Sequence, residues 1–288
     1  MNNFFPIISV SELKDIINDK NLVILDARVG KDARKNYLEK HIKGARFIDL
    51  EKDMAKVPKD ASKGGRHPLP EIFEFAKTLS DLGISENSHI VVYDDKSGAN
   101  AAARCWWMLK SFGIEEVQVL DGGFQQAEKE GVEMNSGEEH IHKSVIKIPV
   151  DWKLPTKNIL EVEKAIAENS ATVIDVRDAY RYNGESEPID LVAGHIPGAM
   201  NIPFSENLDE NGNFLQPEIL KEKYLKFLDS STSLSILNTR KLIIHCGSGV
   251  TACHTILALN AAGFEMPDLY VGSWSEWSRS GKEIAVDI

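Results

Sequence analysis

One short segment of the chain combines a cysteine with a glycine-rich loop and the predicted start of a helix. The apolar run 242–244 predicts a buried strand, and the following residues read Cys246-Gly247-Ser248-Gly249-Val250-Thr251. Glycines let the backbone N–H groups of such a loop turn inward, and a helix that begins near Thr251 adds its positive end. Groups of this kind stabilise anions, so we expect Cys246 to be an ionised nucleophile at neutral pH. The same loop would stabilise a second, negatively charged sulfur atom bonded to the sulfur of Cys246.

Two other interpretations of Cys246 remain open at this point. Free cysteines are often buried and inert, so Cys246 could simply pack at the end of its strand. A cysteine phosphatase would use similar geometry, but it needs an arginine after five loop residues to hold phosphate. Ala252 stands at that position, which argues against phosphoester chemistry.

The other cysteines and the overall charge limit the function further. Three cysteines are poor evidence for a disulfide framework and fit a reducing compartment, and we read Cys105 and Cys253 as core residues of helices. No cysteine or histidine spacing is typical of zinc, so we expect neither a metal nor a cofactor. A net charge of −11 disfavours nucleic acid and anionic membranes as partners. The N-terminus does not resemble a signal peptide and no run is long enough to span a bilayer, so we expect a cytoplasmic protein.

The elements that must position Cys246 occur twice in the chain, with a period of about 150 residues. Each copy contains a β-branched run ending in Asp-x-Arg, a His-Ile-x-Gly-Ala motif, a buried strand with a polar end, and a strand that breaks at glycine. The corresponding ranges are 22–28 and 172–177, 41–48 and 195–202, 90–94 and 242–246, and 119–124 and 269–274. A duplicated domain is therefore predicted.

Apolar strands alternate with helical stretches such as 71–82, 99–113 and 251–262. Strands that are apolar throughout, rather than at every second residue, indicate an α/β fold in which helices flank a mostly parallel sheet. Gly137, Pro149 and Pro155 interrupt the periodicity. We predict a first domain over 1–140, a linker over 141–157 and a second domain over 158–288.

The cysteine loop, the motif 195–199 and the closing segment 271–277 together resemble the tandem-domain rhodanese/sulfurtransferase family. The resemblance implies two rhodanese-like domains, of which the first is catalytically silent because Asp94 stands where the second has Cys246. It also implies a transferase that moves sulfane sulfur from a small anionic donor to a thiophilic acceptor through a Cys246 persulfide, without metal or cofactor. Cyanide, a thiol or a thioredoxin-like protein would be the acceptor.

The donor follows from the loop by the same resemblance. Gly247 and Ser248 are similar to the loop of 3-mercaptopyruvate sulfurtransferases, whereas thiosulfate-preferring members carry an Arg-Lys pair there. We therefore favour 3-mercaptopyruvate over thiosulfate. A persulfide carrier or sensor that passes sulfur to a protein partner is a further alternative, since its loop would look identical.

Site residues outside the cysteine are also carried over from the resemblance. Arg181 matches the family arginine that holds the anionic donor, and its planar fork suits a carboxylate. Gly247, Gly249, Val250 and Thr251 would line the donor site. His67 is similar to the catalytic histidine of the mercaptopyruvate enzymes, with Glu51 as the nearest acid to orient it.

Several positions keep a structural interpretation beside the functional one. Ser248 lends a hydroxyl to the sulfur or relays a proton toward His67, or it is only a small residue that fits the loop. We read Arg177 as half of a structural ion pair, and Trp274 and Trp277 as packing residues. In one departure from the family, Ile189 stands where mercaptopyruvate enzymes carry a second arginine, so half of the expected carboxylate recognition is missing.

Overall fold

The computed structural model describes residues 4–99, 101–229 and 241–287. Its contacts divide the chain into two compact units. The first contains the described residues within Met1–Lys56, Leu69–Lys153 and Glu210–Asn213. The second contains those within Val57–Pro68, Leu154–Asp209 and Phe214–Ile288. The domain boundaries at 140 and 158 stay a prediction, and the second unit includes the short segment that carries His67.

The first unit is built on a five-stranded parallel sheet with the strand order β1-β6-β5-β2-β4, and a short antiparallel pair, β3 and β7, lies beside it. Its strands are β1 (Ile7–Ile8), β2 (Leu22–Asp26), β3 (His41–Ile42), β4 (Arg46–Phe47), β5 (His89–Tyr93), β6 (Val117–Leu120) and β7 (Met134–Asn135). Its helices are α1 (Val10–Ile16), α2 (Ala33–Glu39), α3 (Ile72–Asp81), α4 (Ala102–Phe112) and α5 (Gly123–Lys129).

The second unit contains a five-stranded parallel sheet with the order β10-β9-β11-β12-β8. Its strands are β8 (Thr156–Lys157), β9 (Ala171–Asp175), β10 (Met200–Asn201), β11 (Lys241–His245) and β12 (Asp268–Tyr270). Its helices are α6 (Ile159–Ala167), α7 (Ala179–Asn183), α8 (Pro217–Asp229), α9 (Ala252–Ala261) and α10 (Ser273–Trp277), with a 3-10 turn at Phe204–Asn207.

The two sheets have the same topology. The first sheet, read from β4 to β1, and the second sheet, read from β10 to β8, contain equivalent strands of the repeat in the same order. The predicted duplication and the predicted α/β fold are therefore confirmed. The predicted helices over 71–82 and 251–262 correspond to α3 and α9. Helix α4 begins at Ala102, inside the predicted range 99–113, whose residue 100 lies outside the described part of the chain.

The central strands are apolar because helices cover them. Strand β11 pairs with β9 in parallel, and His245 lies opposite Asp175 at the end of the ladder. Since the carboxyl ends of parallel strands meet at one edge of a sheet, the residues after β9 and β11 lie near each other there. Among the described helices, none is long and apolar enough to cross a membrane.

Candidate active site at the edge of the second sheet

Cys246 directly follows β11, and its backbone is fixed by the turn that starts α10. Its carbonyl accepts a hydrogen bond of 3.0 Å from the Trp274 amide, and its amide donates to Ser273 Oγ at 3.3 Å. The Ser273 hydroxyl in turn donates to the Tyr270 carbonyl at 2.8 Å. Only 3% of the Cys246 surface is exposed. The backbone of Cys246 is therefore fixed at the edge of the sheet.

The loop after Cys246 presents backbone amides that the described protein leaves unpaired. Gly249 has φ +72°, and a Cβ there would lie 2.5 Å from the Val271 carbonyl oxygen, so only glycine fits this turn. Among described residues, none accepts a hydrogen bond from the amides of Gly247, Ser248, Val250 or Thr251. These four donors are available to a bound anion or an anionic sulfur.

The equivalent loop of the first unit shows where such amides point. The Asp94 carboxylate, at the position equivalent to Cys246, accepts hydrogen bonds of 2.8 to 3.2 Å from loop amides. The donors are Lys96, Gly98, Ala101 and Ala102. The Asp94 carbonyl accepts from the Phe124 amide at 2.9 Å, just as Cys246 accepts from Trp274. In this fold the loop therefore gathers its amides around an acidic side chain at that position.

His67 and Ser248 meet beside Cys246 in the second unit. His67 Nδ1 and Ser248 Oγ share a hydrogen bond of 2.8 Å although the residues are 181 positions apart. The His67 segment is anchored by its backbone, because the Arg66 amide donates to Ser275 Oγ at 3.0 Å and the Gly64 amide to Glu276 Oε1 at 2.8 Å. This arrangement can move a proton between the imidazole and the hydroxyl in the loop.

Arg181 is buried and held by Glu187. Its Nε and Nη2 donate to both oxygens of the Glu187 carboxylate at 2.8 to 3.1 Å. Burial disfavours the charged form of both partners, but the ion pair between them has the larger effect. The ion pair raises the pKa of Arg181. Together with hydrogen bonds from the Ile189 and Asp190 amides, it lowers the pKa of Glu187. The nearby Cys246, when it is ionised, also raises the pKa of Arg181. Arg181 is therefore a permanently charged group close to the cysteine.

Sequence reasoning missed a cluster of arginines around Asp190. Arg66 Nε donates to Asp190 Oδ1 at 3.0 Å, Arg279 Nη1 donates to the same oxygen at 3.2 Å, and Arg181 Nη2 lies 3.6 Å from Oδ2. The Asp190 side chain is fully buried. The only sequence signal was that Arg66 precedes His67, because these residues are far apart in the chain and belong to no common motif.

The remaining predicted residues have mostly structural surroundings. Arg177 pairs with Asp175 at 2.6 Å and lies 4.6 Å from the centre of the Trp274 ring, so the predicted ion pair is confirmed. The predicted core residues Trp274, Trp277, Cys105 and Cys253 are buried. Burial raises the pKa of the Cys105 thiol, which keeps it protonated.

Two further residues that the sequence analysis named have exposed side chains. Glu51 belongs to the first unit and is exposed, so its role stays a prediction. Ile189 is 55% exposed and brings no charge to the site. Within the described residues, no group of three or more His, Cys, Asp or Glu side chains is arranged to hold a metal ion.

Comparisons with known proteins agree with the geometry. A rhodanese-like domain model matches residues 9–130 and 159–280. A probable 3-mercaptopyruvate sulfurtransferase of Pseudomonas aeruginosa is 37% identical over 94% of each chain. A thiosulfate sulfurtransferase of Gallus gallus is 36% identical, over 86% of this chain and 81% of its own. The structure of the 3-mercaptopyruvate sulfurtransferase from Leishmania major has a TM-score of 0.78 and 30% identity, and covers 95% of this chain and 74% of its own.

The chain therefore belongs to the rhodanese-like family, with two such domains in tandem. The predicted enzyme class, a sulfurtransferase, is confirmed as well.

Proposed function

We propose that this sulfurtransferase takes sulfur from 3-mercaptopyruvate and carries it as a persulfide on Cys246. The observation that carries the proposal is the hydrogen bond of 2.8 Å between His67 and Ser248 in the loop that starts at Cys246. Loss of sulfur from mercaptopyruvate leaves a carbanion-like enolate that needs a proton, whereas thiosulfate leaves as sulfite, which does not. A proton-transfer pair next to the nucleophile suits the first donor.

In the loading step, the Cys246 thiolate attacks the sulfur of the donor thiol. A sulfur–sulfur bond forms, and the electron pair of the broken carbon–sulfur bond moves onto the donor carbon to give the enolate of pyruvate. The proton of the donor thiol, relayed through Ser248 and His67, ends on that carbon. The products are pyruvate and an anionic Cys246 persulfide, so atoms and charge balance.

The charged end of the donor and the persulfide use different groups. Arg181, oriented by Glu187, is placed to bind the donor carboxylate. The free amides of Gly247, Ser248, Val250 and Thr251 stabilise the negative sulfur as it forms. A nucleophilic acceptor, such as cyanide, a thiol or a thioredoxin-like protein, then attacks the outer sulfur and returns Cys246 to its thiolate.

Parallel kinetics with two donors test the proposal. We expect kcat/KM with mercaptopyruvate to exceed that with thiosulfate by about tenfold or more, with cyanide as the common acceptor. A preference for thiosulfate would overturn the choice of donor. Sustained turnover distinguishes the enzyme from a persulfide carrier, which would load once and then wait for a protein partner.

A further inference from the structure

We propose that Arg66 is the second cation of the donor site and binds the carboxylate end of mercaptopyruvate together with Arg181. The inference rests on the proposed function and assigns a specificity residue to it. It resolves the deficit noted at Ile189, because the missing charge would come from a different segment of the chain.

The first observation is the position of Arg66 relative to the cysteine loop. A Cβ built on Gly247, the residue after Cys246, would lie 3.1 Å from Arg66 Nη2, 3.4 Å from Arg181 Nη2 and 3.4 Å from Asp190 Oδ2. Two guanidinium groups therefore border the loop next to the nucleophile. Because Gly247 has no side chain, their nitrogens are not screened from this part of the loop.

The second observation is how the two guanidinium groups are oriented. Asp190 holds Arg66 through Nε at 3.0 Å and Nη2 at 3.3 Å, and Glu187 holds Arg181 through Nε and Nη2. Among described residues, none accepts from Nη1 of either arginine. Each carboxylate thus fixes the Nε–Nη2 edge of its arginine, and the Nη2 atoms are the ones that lie next to Gly247. A planar carboxylate can accept from two such groups at once.

The third observation is the balance of charge. Arg66, Arg181 and Arg279 lie around the carboxylates of Asp190 and Glu187, so these five groups carry one net positive charge, which the Cys246 thiolate balances. The nearby ion pair of Arg177 and Asp175 is balanced in itself. With the thiolate counted, the cluster as a whole carries no net negative charge, so it does not repel the carboxylate of the donor.

Arg279 provides a matched control within the same cluster. It donates to the same Asp190 oxygen as Arg66, at 3.2 Å, but its other hydrogen bonds go to Ser275 and Ser278, and it is not among the groups nearest to Gly247. If Arg66 only supported Asp190, the removal of either arginine would have similar consequences. If Arg66 binds the donor, only its removal should weaken donor binding.

The experiment compares Arg66→Gln with Arg279→Gln in the full chain. We expect Arg66→Gln to raise KM for mercaptopyruvate by about 10- to 100-fold with little change in kcat, as for the loss of a hydrogen bond to a charged group. We expect Arg279→Gln to change KM by no more than about twofold, because Arg279 is not among the groups nearest to Gly247. Adding Ile189→Arg to Arg66→Gln should recover part of the lost affinity.

Several readouts keep the inference distinct from the proposed function. Removal of sulfur from the preloaded persulfide by neutral dithiothreitol should be equal in wild type and Arg66→Gln, since that step needs no donor carboxylate. Equal KM changes in the two glutamine variants, or a loss confined to kcat, would overturn the role of Arg66. If Arg66→Gln does not fold, Arg66→Lys tests the same point. We expect its KM for mercaptopyruvate to be higher than that of both wild type and Arg279→Gln. A wild-type chain that no donor loads would instead refute the proposed function.

Discussion

Cys246 is almost fully buried, and charged groups border the loop that follows it. The guanidinium groups of Arg66 and Arg181 flank Gly247, the residue that follows Cys246. An inert core cysteine has different surroundings: Cys105 is fully buried and burial raises its pKa. The charged groups beside the Cys246 loop therefore support Cys246, rather than Cys105, as the nucleophile.

Replacing His67 tests the proton relay at the scale of one residue. We expect His67→Gln to lower kcat with mercaptopyruvate by about 100-fold, the usual contribution of a positioned acid or base. Turnover with thiosulfate should fall far less, because departing sulfite needs no proton. Steady-state rates with both donors, at a fixed cyanide concentration, check the difference.

The two-donor comparison also contains its own control. The rate with thiosulfate depends on folding and on the cysteine. The rate with mercaptopyruvate depends on these and also on the proton relay. An equal loss with both donors would mean that His67 only holds the loop through Ser248, and the relay would have to be abandoned.

At the scale of elements, both units contain the same arrangement of strand, loop and helix, but the residue that follows the strand differs between them. In the first unit the loop amides donate to the Asp94 carboxylate of the same loop, whereas in the second no described residue accepts from the amides of Gly247, Ser248, Val250 or Thr251. The repeat in the sequence was sufficient to align Asp94 with Cys246 and to predict both strands. It could not show that Asp94 itself occupies the loop, because that depends on side-chain geometry.

Removing the Asp94 carboxylate tests this account of the first unit. We expect Asp94→Ala to lower the free energy of unfolding by about 1–3 kcal/mol, because several buried amides lose their acceptor. Sulfur loading at Cys246 should be unchanged. Urea denaturation followed by circular dichroism, together with a turnover assay, measures both effects, and a variant as stable as wild type would contradict the account.

The turn at Gly249 offers a second test of the loop. We expect Gly249→Ala to destabilise the chain by about 1–3 kcal/mol and to reduce turnover, since alanine is strained at φ +72° and its Cβ would meet the Val271 carbonyl at 2.5 Å. Gly263→Ala is a suitable control, because it shares a positive φ of +82° but nothing lies near its Cβ. Similar losses of activity in both variants would show that the close contact is unimportant.

At the scale of the whole molecule, the sequence predicted what repeats and local patterns encode. Duplicated apolar strands predicted the fold, and the class of enzyme followed from the resemblance that the cysteine loop and the segments 195–199 and 271–277 carry together. The cluster of Arg66, Asp190 and Arg279 could not be predicted, since its members come from three distant segments that only the folded second unit brings together. The contact of His67 with Ser248 was expected from family resemblance alone.

Buried carboxylates should make the stability of the second unit depend on pH. Ion pairs and hydrogen bonds outweigh burial and lower the pKa of Asp175 and of Glu187 in the folded chain. Stability from these groups is therefore complete above their unfolded pKa values of about 4 and is lost as the pH falls through the lower folded values. We expect urea midpoints to drop between about pH 5 and pH 3.

Glu187→Gln is the matched variant for the pH experiment. It should be less stable than wild type at pH 7 by about 3 kcal/mol, because Arg177 and Arg181 lose a buried charged partner. Its stability should also fall less steeply with acid. A variant with the same acid profile as wild type would remove Glu187 from the explanation.

The mass of the intact protein after brief exposure to 3-mercaptopyruvate tests the central claim most directly. We expect a gain of about 32 Da in the wild type, reversed by a thiol and absent in Cys246→Ser, while Cys253→Ser still gains the mass. A wild-type chain without the added sulfur, or a Cys246→Ser chain that still acquires it, would contradict the assignment of Cys246 as the sulfur carrier.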